Sequence, residues 1–225
     1  MPWFTRFTRF GDTHMVFGQE QGISCGLACV IMAAYKINKL TPSVKAMYDE
    51  DDMMKKAKKL FGADPLGPTG LTGDRMIQLL NDASLKIQTW SLISPVQDAV
   101  NDTILKQIGV DSGLGPTIDV KPIIMLVQWK GAQDRHWVVI DTVRKVFGSL
   151  YATVCDPWDG SVHVIEIKKH RRFDYSAQEV IDFDFWGKRH NYGPKGSKGS
   201  STVVVKDEVT KAVTWTGSVM LVRTK

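Results

Sequence analysis

Cys25 stands between Ser24 and Gly26 at the mouth of the apolar run Cys25-Gly26-Leu27-Ala28-Cys29-Val30-Ile31-Met32, with Gln19 six residues upstream. A small polar residue ahead of such a run reads as an N-cap, and the run from Cys25 to Tyr35 is long enough for about three helical turns. A thiol in the first turn of a buried helix lies in the positive field of backbone N–H groups, a field that lowers a thiol's pKa from roughly 8.5 toward neutrality. The same N–H groups can hold an oxyanion developing beside the sulfur. The Gln19 side-chain amide is positioned to be a second donor, and Gln21 in the same loop could also fold back toward the thiol. A packing cysteine on a core helix is the plainer use of such a residue. It leaves unexplained the glycines on both sides, Gly22 and Gly26, and the nearby glutamine.

Nucleophilic chemistry needs a base and a group to orient it. Lys121 to Trp129 reads as an apolar strand, followed by the polar turn Lys130 to Arg135. His136 then opens a β-branched strand, His136-Trp137-Val138-Val139-Ile140-Asp141-Thr142-Val143. A third strand, Ser149 to Cys155, ends in Asp156-Pro157-Trp158-Asp159-Gly160. A histidine at the start of one strand and an aspartate at the end of its antiparallel neighbour fall on the same sheet edge. There the carboxylate can accept from one imidazole nitrogen while the other nitrogen faces a thiol.

Other assignments fit less well. Asp141 could orient His136, but it lies five residues along the same strand at about 3.3 Å per residue, too far. His14, His163, His170 and His190 have no aspartate-tipped strand as an evident neighbour. Zinc held by Cys25, Cys29 and Cys155 with His136 is a rival use of the thiols, and a helical Cys-x3-Cys is a poor match to usual zinc spacings. The reading therefore calls for no metal and no cofactor.

The Gln-x5-Cys-Gly-x-Ala-Cys block, the His-Trp-Val-Val strand and the Asp-Pro-Trp-x-Gly turn resemble the papain-like cysteine peptidases of bacteria, in particular double-glycine leader peptidases and papain-like effector proteases. The resemblance extends to Thr69-Gly70-Leu71-Thr72-Gly73-Asp74-Arg75-Met76, a Gly-Thr-type loop opening a helix, and covers roughly residues 15 to 165. It implies Cys25 as nucleophile, His136 as general base and acid, Asp156 as orienter and Gln19 as oxyanion-hole donor, with Cys29 a packing residue. The implied activity is a cysteine endopeptidase acting on a protein or peptide through a thioester acyl-enzyme. The same triad on a side-chain amide would make an amidase, deamidase or transglutaminase, and a non-enzymatic interaction module on the same scaffold is the third possibility.

The elements that must position these residues read as α+β: a helical lobe carrying the Cys25 helix, packed against an antiparallel β-sheet lobe. The chain is expected to form a single papain-like domain, with residues of about 1–110 in the helical lobe, about 120–225 in the sheet lobe, and 166–225 an extension outside the resemblance. Thr41-Pro42 signals a helix start, and Gly62 closes a Lys-rich stretch from Met53 to Phe61. Ala63 to Gly70 is a loop, and Asp74 to Ala83 a helix with Met76, Ile77, Leu79 and Leu80 on one face. A short strand from Leu85 to Trp90 follows, then a helix opened by Ser94-Pro95 with Val96, Val100, Ile104 and Ile108 at every fourth place. Residues 110–120 form a Gly/Pro loop, and the chain is β-rich from Pro122, ending with Val203 to Val205 and Val213 to Val222. The arm Trp3-Phe4-Thr5-Arg6-Phe7-Thr8-Arg9-Phe10 is expected to pack over the sheet lobe. Asp182 to Trp186 could edge a substrate groove or form a strand.

Composition narrows the class. With 225 residues, 43% hydrophobic and 24% charged, the chain has an ordinary globular make-up and enough length for a core. Its longest apolar run is too short to span a bilayer, and no signal-peptide pattern opens it. A soluble protein made in the cytoplasm is expected, with any export by another route. Three cysteines cannot build a disulfide framework. The net charge of +5 is mild, and its clusters at Lys168 to Arg172 and Gly187 to Gly199 read as solvated segments. No nucleic-acid-binding pattern accompanies them.

Overall fold

The structure is a computed structural model and describes residues 3–8, 10–95, 99–110, 121–129, 135–158, 160–168, 174–176 and 212–224. The chain opens with an antiparallel hairpin, β1 (Trp3–Phe7) and β2 (Thr13–Phe17). Three helices follow: α1 (Cys25–Asn38), α2 (Glu50–Phe61) and α3 (Gly73–Leu80). A 3-10 turn at Ala83–Leu85 leads into β3 (Trp90–Ile93) and α4 (Val100–Ile108). The remaining elements are strands: β4 (Ile123–Trp129), β5 (Arg135–Val146), β6 (Ser149–Asp156), β7 (Ser161–Ile167), β8 (Asp174–Ser176) and β9 (Ala212–Arg223).

Among the described residues β3 to β9 form one antiparallel sheet in the order β3-β9-β4-β5-β6-β7, with β8 added along β9. Both faces are covered. Successive side chains of a strand point to opposite faces, and the core divides accordingly. Ile124, Leu126, Trp137, Val139 and Cys155 pack with the residues of α1, α2 and α3. Ile123, Met125, Val127, Val138 and Ile140 pack with Val100 and Ile104 of α4. That is why Ile123–Val127 and Trp137–Ile140 read as unbroken apolar runs rather than alternating ones. The architecture is α+β with an antiparallel sheet, as the element pattern implied.

Several local expectations need correction. The aromatic arm does lie against the sheet, as β1 of a hairpin whose second strand the sequence reading did not identify; Arg6 Nε donates to Gly160 O at 2.7 Å. Thr41-Pro42 starts no helix. α2 begins at Glu50, where the Asp49 carboxylate accepts the Asp52 N–H at 2.7 Å and three acidic residues occupy the first turn, a stronger start signal than one proline. Gly62 ends α2 at φ 89 as expected. α3 stops at Leu80 rather than Ala83, and the strand placed at Leu85–Trp90 begins at Trp90, because Lys86 and Thr89 adopt positive φ. α4 begins at Val100; residues 96–98 lie outside the described residues, as do 111–120, 130–134, 169–173, 177–211 and Asp159. β3 and β9 both join the sheet, so the first 110 residues and the C-terminal segment interlace rather than merely adjoin. Among the described residues no helix is long and apolar enough to cross a membrane.

Candidate active site

Cys25 is the first residue of α1, and Ser24 occupies the cap position without capping. Its Oγ instead donates to Gln21 O at 3.0 Å and accepts the Gln21 N–H at 3.2 Å, closing a turn over residues 21–24. The Ser24 side chain therefore does not take the N–H groups at the mouth of α1. Gly26 has a packing reason to be glycine: a Cβ there would sit 3.0 Å from Leu71 Cβ and 3.2 Å from Met76 Sδ. The Leu71 loop is held in turn by Trp137, whose Nε1 donates to Leu71 O at 3.0 Å. Cys25 retains 8% exposure while Cys29 and Cys155 have none. Burial also pushes the Cys29 thiol well above its usual range, helped by the charges of Cys25, Asp156 and Cys155, which makes it a poor nucleophile.

His136 enters from β5, one residue after the strand begins at Arg135. Its Nε2 lies 2.7 Å from Asp156 Oδ1, at the end of β6. Cys25 lies close enough to this ring to favour its charged form, so the structure brings Cys25, His136 and Asp156 together. Burial alone would lower the imidazole pKa. The charge and hydrogen bond of Asp156, with those of Cys25, overcome burial and raise it from 6.5 to about 10. For Asp156 burial pulls upward, but His136 outweighs it and holds the carboxyl below its ordinary value, assisted by the charge of His163 and the Trp158 N–H. That N–H donates to the same Asp156 Oδ1 at 2.8 Å. The Trp158 ring stands edge-on to His136, 6.3 Å between centroids. His163, bonded to Ser161 Oγ through Nε2 at 2.9 Å, and Trp158 are supports the sequence reading did not assign, although the Asp-Pro-Trp turn carried the signal for the second.

Gln19 and Gln21 part company in the structure. Gln19 is fully buried and Gln21 is exposed. The Gln19 N–H donates to Pro157 O and its Nε2 to Gln21 O, both at 2.7 Å. The loop before Cys25 is thus tied to the turn after Asp156. A second tie comes from α2, where Glu50 Oε2 accepts the Glu20 N–H at 2.7 Å. Gly160 closes the turn at φ 65 with Phe4 against it, so a Cβ there would overlap the Phe4 ring.

Asp141 faces a different group of residues. Its Oδ2 is 2.5 Å from His14 Nδ1 and 2.6 Å from Lys36 Nζ, all three buried, with Cys155 beside them. His14 was set aside in the sequence for lack of an aspartate neighbour; the neighbour is 127 residues away. Burial acts to lower the His14 pKa, but Asp141 and Cys155 raise it to about 9. Burial likewise acts to raise the Asp141 pKa, but Lys36 and His14 hold that carboxyl far below its ordinary range. The zinc grouping weighed as a rival, Cys25, Cys29 and Cys155 with His136, is not the one found among the described residues: Cys155 clusters with His14 and Asp141, and Lys36 Nζ is 2.6 Å from the same Asp141 carboxylate. His170 and His190 lie outside the described residues.

Neither a scan against protein-family models nor a search of curated proteins returns a match for this sequence. The functional reading rests on geometry and chemistry.

Proposed function

We propose that the chain is a cysteine endopeptidase of the papain-like kind, with Cys25 as nucleophile, His136 as general base and acid, Asp156 as orienter and Gln19 as oxyanion donor. The observation that carries this reading is His136 bonded to Asp156 at 2.7 Å, with Cys25, the first residue of α1, close enough to favour the charged ring. With its pKa near 10, His136 holds a proton at neutral pH. The Cys25 sulfur attacks the peptide carbonyl, and the oxyanion settles against the first-turn N–H groups of α1 and the Gln19 amide. His136 protonates the departing amine, leaving a thioester. It then takes a proton from water as the water attacks, and carboxylate and thiol are released. Asp156 keeps the imidazole in one tautomer throughout.

The test is to incubate active protein and Cys25→Ala with a denatured proteome and sequence the new amino termini. Termini made only by the active protein support the reading. Glutamine-to-glutamate conversion without new termini would move the activity to the side-chain amide, and equal outcomes for both proteins would remove the enzyme assignment.

A further inference from the structure

We propose that the Lys36–Asp141 ion pair is a register clamp: it fixes how far α1 can slide along β5 and thereby holds Cys25 opposite His136. This rests on Cys25 and His136 being the reacting pair. α1 packs on β5, and the two elements meet at two polar points. At one end Cys25 is close enough to act on the charge of His136, and at the other Lys36 Nζ is 2.6 Å from Asp141 Oδ2. The spans between these points match. Eleven residues of helix from Cys25 to Lys36 rise about 16–17 Å, and five residues of strand from His136 to Asp141 cover about 16–17 Å. Between the two points the contact is apolar, with Cys29 and Met32 of α1 and Val139 of β5 in one core. Apolar burial is non-directional and tolerates sliding; a hydrogen-bonded ion pair does not.

Asp141 is placed for this by a bulge. Val139 and Ile140 of β5 pair with Cys155 and Val154, but Thr142 pairs with Thr153, so Asp141 is the extra residue with no partner position on β6. Bulges re-aim side chains, and this one delivers a carboxylate to the last turn of a helix, where Lys36 is the basic residue. His14 of β2 holds the same oxygen from the other side at 2.5 Å, leaving Asp141 little room to follow if Lys36 moves. Buried ion pairs add little net stability for their desolvation, and their best-attested use is to specify register.

The experiment measures the iodoacetamide alkylation rate of Cys25, located by peptide mapping, and reads the ratio of the rate at pH 6 to that at pH 9. Wild type should keep a high ratio that His136→Ala loses. Lys36→Met, and Asp141→Glu, which keeps the charges but lengthens the clamp by one methylene, should each lower the ratio at least tenfold with the far-UV circular dichroism unchanged. Met53→Ala, which opens the core of α2 without touching the clamp, should lower the melting temperature and leave the ratio alone. If Lys36→Met does not fold, Asp141→Glu and Lys36→Arg give the same reading with both charges present. Clamp variants that keep the wild-type ratio overturn the proposal. A wild-type ratio no higher than that of His136→Ala removes the Cys25–His136 pair itself, and the clamp with it.

Discussion

The proposed chemistry depends on a proton that His136 holds more tightly than a free imidazole does. Its pKa stands near 10, although burial alone would lower it, because the Asp156 carboxylate and Cys25 favour the charged ring. Asp156→Asn keeps the shape and a hydrogen-bonding oxygen but removes the charge. The alkaline limb of kcat/KM should then move to lower pH, since the imidazolium loses its proton sooner, with a rate loss of about ten- to a thousandfold at pH 8. An alkaline limb unmoved by this substitution would mean that another group sets it. Gln19→Ala should lower kcat by about a hundred- to a thousandfold, the usual effect of deleting one oxyanion donor, and Gln21→Ala should be mild. If neither variant loses rate in steady-state assays, the oxyanion hole is built from other groups. Spacing alone does not separate these two glutamines, since both lie within reach of the thiol along the chain; the choice of Gln19 comes from the resemblance. Burial of Gln19 and exposure of Gln21, which separate them, are set by the Pro157 carbonyl far downstream.

At the scale of elements, the turn from Asp156 to Gly160 is fastened from three sides: by Gln19 to Pro157, by Arg6 to Gly160, and internally by Trp158 to Asp156. Gly160→Ala should strain the turn twice, through its positive φ, costing about 1–2 kcal/mol, and through overlap with Phe4. Adding Phe4→Ala should relieve the second part only, so calorimetry should place the double variant between wild type and Gly160→Ala once the loss from Phe4→Ala alone is subtracted. Full recovery in the double variant would mean that the φ strain is negligible. Strands β4, β5 and β6 were legible because their apolar runs are long and bounded by turns. The Phe147-Gly148 turn between β5 and β6, with φ of 47 and 87, is the two-residue hairpin that their spacing required. The β1–β2 hairpin was not legible. Arg6 and His14 sit in buried places where a strand pattern calls for apolar residues, because their partners, Gly160 and Asp141, lie far along the chain.

Across the whole molecule, the largest feature hidden from the sequence is the group of His14, Lys36, Asp141 and Cys155, assembled from β2, α1, β5 and β6. No local pattern announces contacts that span 105 and 127 residues. The group should leave a mark on stability. The His14 pKa is raised from 6.5 to about 9, so the stability it contributes is fully present below pH 6.5 and lost as pH rises through about 9. Asp141 is shifted the other way, and its contribution is lost only as pH falls well below the ordinary carboxylate range. The melting temperature of wild type should therefore exceed that of His14→Asn by several degrees at pH 6, with about 2–4 °C for each kcal/mol. The gap should narrow by pH 9.5; a gap that stays constant across this range would show that His14 acts by packing alone.

The position of β9 bears on the order in which the sheet can be completed. β9 lies between β3 and β4, bonded to both, so β3 cannot join the strands that carry His136 and Asp156 until residues 212–223 have been made. A chain still under synthesis has its cysteine helix long before it has a finished sheet to set against it. The order of the strands thus sets an order of assembly: β4 to β7 can pair as they emerge, and β3, made earlier, is stitched to them last through β9.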